Sequence, residues 1–300
     1  MAVVLSDEPA KAEILDNAVL VVGLARNCGQ HLKKQVGQIS SALESFSEVH
    51  WLVIESDSDD HTQAALEVLA AENAKFRFIC LGTLRGRLPK RTERIAYCRN
   101  RYLDEIRNNP LYRHIDFVIV ADLDGMNSLL TEQAILSCWT RGEWDVCTAN
   151  QRGPYYDIYA LRHQWWSPND WCLQYSFLLS QGTRAARAYS ASNYARMIRV
   201  REDSEWLEVD SAFGGLAIYR KHAMLNGQYI GLAPDGVEQC EHVSFHGQLR
   251  RQNKRIFINP RLINAGYTRH WWRVAGKLML LATIGMRGTA LLERLSKEKW

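Results

Sequence analysis

The chain has seven cysteines but no Cys-x-x-Cys pair. Their odd number and wide scatter exclude a disulfide framework or a structural zinc site built on paired cysteines. No apolar run approaches the roughly 20 residues that a bilayer span requires; the longest toward the end, Leu278–Met286, is fenced by Lys277 and Arg287. Asp7 and Glu8 arrive before any long apolar stretch, so no signal peptide is expected, which predicts a protein kept in a reducing cytoplasm. There is no repeat, linker or low-complexity segment, so a single domain is the simplest organisation. A large excess of one charge is also missing: 37 Lys and Arg against 33 Asp and Glu give +4, and no nucleic-acid partner is called for. Nor is there a glycine-rich triphosphate loop, since GLARNCGQH offers only Gly23 and Gly29.

What is present is material for a large core, with 47% hydrophobic residues in a chain of 300. Charge is unevenly placed: residues 251–300 carry +9 and the first 250 carry −5. Apolar runs at Ala18–Ala25, His50–Glu55, Phe76–Leu81 and Phe117–Ala121 alternate with helix-spaced segments at His31–Phe46, Thr62–Ala71 and Glu93–Ile106. That alternation predicts an α/β fold with a mostly parallel sheet flanked by helices. Later strands are expected at Gly215–Tyr219 and Arg255–Ile263, and Tyr159 and Leu161 fall in a strand-like alternation.

In such sheets the functional groups gather at the carboxyl ends of strands. Asp122 and Asp124, in ADLDGMN, stand directly after an apolar strand, and two carboxylates so placed suit Mg²⁺ or Mn²⁺. An ordinary turn, with one Asp capping and Gly125 at positive φ, is the alternative that these residues leave open. Glu55, Asp57 and Asp59 follow the second strand and can accept hydrogen bonds from ribose hydroxyls or a base, with Asp59 or Asp60 capping the next helix. Arg26 and Arg99 offer forks to phosphate oxygens, whereas Arg94 and Arg101 read as exposed helix residues. Trp165, Trp166 and Trp171 offer flat apolar faces to an acceptor sugar. His242 and His246 share a helix face, but no third ligand lies nearby, which excludes a zinc protease.

In combination these segments resemble the glycosyltransferases of the GT-A fold. IESDSDDHT resembles the acidic nucleotide-binding loop after the second strand, Cys98-Arg99-Asn100 the Ala-Arg-Asn helix, and FVIVADLDG the strand bearing the metal motif. Together with YYDIYALR they look most like the capsule-associated α-mannosyltransferase group. VDSAFGGLAIYR, with Gly214 and Gly215, resembles the glycine loop that approaches the donor or acceptor sugar; a β-bulge or hairpin pair is the other reading. EQCEHVSFHGQLR resembles the acidic motif behind the acceptor pocket, and it implies that Glu241 acts as base in an inverting reaction or positions the acceptor in a retaining one. His270 resembles the late histidine that completes the metal shell, with His246 in reserve.

The resemblance implies a GT-A domain over 1–270, with a nucleotide-binding half at about 18–130 and a smaller acceptor half at about 131–270. A basic amphipathic helical tail is expected over 271–300, able to lie on an anionic membrane surface and hold the protein peripherally at its inner face. The implied reaction moves a sugar from a nucleotide-diphosphate donor, GDP-mannose or a UDP-hexose, to a glycan or lipid-linked acceptor. A sugar nucleotidyltransferase and a non-catalytic module that binds membranes or polyanions on the same fold are the rivals.

Overall fold

In strand β1 (Ala18–Ala25), Val19 and Val21 pack into one buried cluster and Leu20 and Val22 into another. With both faces covered, every apolar position of the run is used, as expected for a strand between two helical layers. A computed structural model describes residues 14–267. In chain order these form β1, α1 (Gly29–Ala42), β2 (Glu48–Glu55), α2 (Thr62–Glu72), β3 (Phe76–Cys80), α3 (Arg91–Asn108), β4 (Phe117–Asp122), α4 (Glu132–Leu136), β5 (Val146–Gln151), α5 (Trp171–Ser180), α6 (Ala185–Ser192), β6 (Leu207–Glu208), β7 (Leu216–Arg220), α7 (Lys221–Met224), α8 (Glu241–Arg251) and β8 (Ile256–Ala265), besides short 3₁₀ turns.

The strands make one sheet in the order β3-β2-β1-β4-β7-β5-β8-β6. Strands β1 to β4 pair in parallel, as do β5 and β8, while β7 runs antiparallel between β4 and β5, and β6 antiparallel to β8. Helices α1 and α2 cover one face through Leu32, Val36, Ile39, Leu66 and Leu69. Helices α3 and α8 cover the other through Tyr102, Leu103, Ile106, Phe245 and Leu249. Because β1 sits between β2 and β4, the chain leaves β1 and β2 toward one side and β4 toward the other, which opens a crevice at their carboxyl ends.

The α/β class, the mostly parallel sheet and the first seven alternating elements follow the sequence expectation. Both proposed halves contribute to the same sheet. The strand expected through Tyr159 and Leu161 is a turn instead, because Asp157 Oδ1 accepts the Ala160 amide at 3.3 Å and curls the backbone. The Trp-rich segment ends in a helix whose N-cap is Asp170, accepting the Cys172 amide at 2.8 Å. His270, Trp271, Trp272 and the tail over 271–300 lie outside the described residues.

Candidate functional site

The crevice at the carboxyl ends of β1, β2 and β4 is a cleft of about 400 Å³. Its floor is Leu24–Arg26, Ser56, Asp57 and Asp122–Asp124; α3 supplies Arg91, Arg94, Cys98 and Arg99 along one wall. Opposite stand Tyr156, Asp157 and Phe213, and the start of α8 contributes Cys240, Glu241 and His242. The lining thus has two characters. Arg26, Arg91, Arg94 and Arg99 bring guanidinium groups to the lining, and Asp57, Asp122, Asp124, Asp157 and Glu241 bring carboxylates.

Arg99 is almost wholly buried, and its charge is matched from several sides. Its Nε donates to Glu241 Oε1 at 2.9 Å, Nη1 donates to the Tyr102 hydroxyl at 3.3 Å, and Nη2 lies 4.0 Å from Asp122 Oδ1. The rings of Phe213 and Tyr229 lie 5.4 and 5.7 Å from the guanidinium carbon. Glu241 opens α8, where the helix dipole also favours a negative group. The adjacent His242 stacks on Phe213 at 4.0 Å, is 2% exposed, and has no hydrogen-bond partner on either ring nitrogen. Burial and the Arg99 charge hold its imidazole well below the usual range, so it faces the cleft neutral.

Asp122 is pushed from the ordinary 3.8 up to about 8 by burial and by Asp124, Asp157 and Glu241, against the opposing pull of Arg99. Its side chain retains 36% exposure toward the cleft, so the carboxylate is crowded by like charge yet reachable. Asp157 is also raised by burial, although the Gly214 and Ala160 amides donate to it. Such a surplus of carboxylate is what a divalent cation relieves, and oxygen donors suit Mg²⁺ or Mn²⁺.

A buried amide network sets the backbone that carries Asp122. Asn127 Nδ2 donates to the Asp122 carbonyl at 2.7 Å, and Asn127 Oδ1 accepts from Asn264 Nδ2 at 3.0 Å. Asn264 and Gln151 both donate to the Gly214 carbonyl, and the Asp122 amide donates to the Gly215 carbonyl at 2.9 Å. Gly214 and Gly215 have φ of +68° and +87°. A Cβ on Gly214 would lie 2.7 Å from the Ala149 carbonyl oxygen, so glycine is required by backbone packing as well as by conformation.

The expected site residues divide into two groups. Arg26, Asp57, Arg99, Asp122, Asp124 and Glu241 line the cleft together. Asp57, however, spends Oδ1 on the Leu84 and Arg85 amides, at 3.0 and 2.9 Å. Glu55 is buried and accepts the Ser58 amide, and Asp60 is the acid that takes the Thr62 amide at the start of α2. Asn100 uses both ends of its amide on the Tyr229 backbone, and Gly214 and Gly215 serve the support of β4; none of these three lines the cleft. Trp165, Trp166 and Trp171 also lie off it: Trp165 is 83% exposed, Trp166 donates to the Arg196 carbonyl and Trp171 packs on Tyr189. His246 is no reserve ligand, because Nδ1 meets the Ser211 hydroxyl at 3.0 Å and Nε2 the Tyr219 hydroxyl at 2.7 Å. Arg94, expected at the surface, lines the cleft, and so do Arg91 and Asp157, which the sequence did not single out, and His242, which it weighed only as one of a zinc-spaced pair.

No family model matches the chain, and none of the curated proteins matches it. Solved structures of related course include a mannosyltransferase, PcManGT from Pyrobaculum calidifontis, in complex with GDP-Man and Mn²⁺, at 12% identity and TM-score 0.46; the match covers 89% of this chain and 66% of that one. Glucosyl-3-phosphoglycerate synthase from Mycobacterium tuberculosis, in complex with UDP, matches at 13% identity and TM-score 0.42, over 89% of this chain and 75% of that one. TarS 1–349 of S. aureus, in complex with UDP, matches at 13% and 0.43, over 80% and 57%. The chain therefore spans just under two thirds of the length of the first.

Two expectations follow. Arg99→Met leaves the Glu241 charge buried without its partner and should cost about 3–5 kcal/mol in urea unfolding, part of which Glu241→Gln restores in the double variant. Folded Asp122 also keeps its proton up to about 8, while the unfolded chain loses it near 3.8. Between those values the unfolded state binds fewer protons, so stability in EDTA should fall as pH rises through this window and level off above it. Asp122→Asn should remove that part of the slope; an unchanged slope would show that the proton belongs elsewhere.

Proposed function

We propose that the chain is a GT-A glycosyltransferase, moving a sugar from a nucleotide-diphosphate donor to a hydroxyl acceptor. The observation that carries the reading is one cleft whose lining holds the reachable carboxylates of Asp122 and Asp124 together with the guanidinium groups of Arg26 and Arg91. A donor with a diphosphate beside a hydroxyl-rich sugar presents the same sequence of chemistries. Asp122 and Asp124 would hold Mn²⁺ or Mg²⁺, which as a Lewis acid neutralises charge on the leaving diphosphate. Arg26 and Arg91 bind phosphate oxygens through their forked donors, while Arg94, whose Nη1 donates to the Leu88 and Pro89 carbonyls at 2.7 Å, holds the loop before α3 and adds its charge.

Glu241 is fixed by Arg99 through one oxygen, which leaves lone pairs to orient an incoming hydroxyl. In an inverting reaction it also takes that hydroxyl's proton; in a retaining one it only positions the acceptor. Asp157, at the cleft wall, accepts a hydrogen bond from a sugar hydroxyl, and neutral His242 adds no charge behind Phe213. GDP-mannose heads the donor candidates and UDP-hexoses follow. The acceptor is a glycan or a lipid-linked saccharide, as in surface polysaccharide assembly.

A lipid-linked acceptor is favoured by a surface next to the Trp-rich loop. Helix α5 carries no charged residue and has no buried one, and Phe177 is 62% exposed beside exposed Leu173 and Leu179. From 171 to 200 there are four arginines and no acid. Arg196 is buried on Asn169 and Gln174, whereas Arg184, Arg187 and Arg199 are exposed, and an apolar helix followed by exposed arginines suits an anionic bilayer, the contact expected also of the basic tail. No helix among the described residues is long and apolar enough to cross a membrane.

The reading is tested by nucleotide release across a panel of GDP- and UDP-sugars, with and without Mn²⁺. Asp122→Ala and Asp124→Ala should each lower turnover at least about a hundredfold while the protein stays folded, and Glu241→Gln should keep donor binding but lose transfer to a similar extent. NMR of the product's anomeric centre then separates the two roles of Glu241. Near-normal rates in both aspartate variants would dismiss the metal assignment, and a chain that binds no nucleotide sugar would be a binding module instead. For the membrane contact, the protein should float with phosphatidylglycerol vesicles at low salt and release as salt rises. Leu173→Ser with Phe177→Ser should weaken flotation several-fold; equal flotation would remove α5 from the contact.

A further inference from the structure

At the edge of the sheet opposite the cleft lies another group of chemically competent side chains. Glu48 and His50 are the first and third residues of β2, and alternate residues of a strand project to the same side. His114, in the turn that feeds β4, meets them there. His50 Nε2 lies 2.8 Å from Glu48 Oε2, and His114 Nε2 lies 3.6 Å from the same oxygen. The two imidazoles meet edge to face with centroids 5.3 Å apart. One ligand atom from each residue falls within 4.8 Å of the other two, and among the described residues no other trio of His, Cys, Asp or Glu does so.

Atoms bound tetrahedrally at about 2.0–2.1 Å from one ion stand roughly 3.3 Å apart, a separation that the two measured distances bracket. His50 is held by burial, whereas Glu48 and His114 are about half exposed, so a further coordination position opens to water. We propose that Glu48, His50 and His114 form a binding site for a zinc-class divalent ion, completed by water. Two imidazoles with one carboxylate discriminate against Mg²⁺ and Mn²⁺, which prefer all-oxygen shells. The ion would join the start of β2 to the turn holding Asp116, which accepts the Ala18 amide at 3.0 Å and the Lys221 amide at 2.9 Å.

One neighbour opposes the ion. Lys75 Nζ lies 3.2 Å from Glu48 Oε2, and its side chain is 46% exposed, free to turn to water when the oxygen is taken. Removing Lys75 therefore has the opposite sign from removing a ligand, which separates a metal site from a surface ion-pair cluster.

The test uses the full chain, stripped with EDTA and kept in excess Mg²⁺ to fill all-oxygen sites. Zn²⁺ is titrated by calorimetry and Co²⁺ by visible absorption. The expected result is one Zn²⁺ per chain, Co²⁺ bands of the strength that four- or five-coordinate nitrogen sites give, and a melting temperature raised by Zn²⁺. His114→Ala and Glu48→Gln, both at half-exposed positions, should each weaken Zn²⁺ at least about tenfold. Lys75→Met should tighten it several-fold. No Zn²⁺ uptake at micromolar concentration, equal affinity in both ligand variants, or weaker binding in Lys75→Met would overturn the proposal. The three residues lie at the sheet edge away from the cleft, so these outcomes are independent of whether the chain transfers sugars.

Discussion

Arg99 sits where three segments distant in the chain have to meet. Its guanidinium joins α3 to Glu241 at the start of α8 and comes within 4.0 Å of Asp122 at the end of β4. A buried ion pair of this kind contributes little net stability, because desolvating both groups offsets their attraction. Its consequence is geometrical. With the arginine in place, Glu241 can be buried charged and α8 can begin at the cleft wall. One positive charge also limits how far the surrounding acids repel one another. Without it the carboxylates of Asp122, Asp157 and Glu241 would lose the guanidinium that binds Glu241 and lies 4.0 Å from Asp122.

The support of Asp122 depends on side-chain amides. Asn127, Gln151 and Asn264 are fully buried, and their donors bind backbone carbonyls of the β4 turn and of the Gly214–Gly215 segment. Neutral amides can satisfy that backbone without adding charge beside a site already crowded with it. The glycines let two strand ends approach closely enough for the network to close. Position is thereby set by neutral groups and charge by a few ionised ones.

The elements legible in the sequence were those whose burial is local. Strands β1, β2 and β4 lie between two helical layers, so their apolar runs were uninterrupted and their acidic ends conspicuous. The motif at Asp122 and Asp124 was readable for that reason, and Arg99 and Glu241 were found through family likeness. Asn100 could not be read correctly, since its partner is the Tyr229 backbone 129 residues away. Asp57 looked free in the sequence but is turned inward by two amides of a loop 27 residues on. His242 and Asp157 reach the cleft because of where α8 and the loop after β5 dock, a tertiary fact with no periodicity to announce it. The tryptophans misled for the converse reason: aromatic composition shows affinity for flat apolar surfaces but not the side of the molecule on which they stand.

The sheet also separates two kinds of donor chemistry. From Glu48 to Glu55, β2 spans about 20–25 Å, with imidazole and carboxylate gathered where it starts and acids and arginines gathered beyond its end. A parallel sheet makes this division natural, because all of its strand starts face one edge and all of its strand ends the other. Divalent ions sort by ligand type more than by total charge, so a borderline ion is drawn to the imidazoles and a hard one to the carboxylates. In the proposed assignment, an ion that stabilises the amino-terminal edge need not compete with the one that serves the diphosphate, since two imidazoles favour a borderline ion at one end and carboxylates alone favour a hard one at the other.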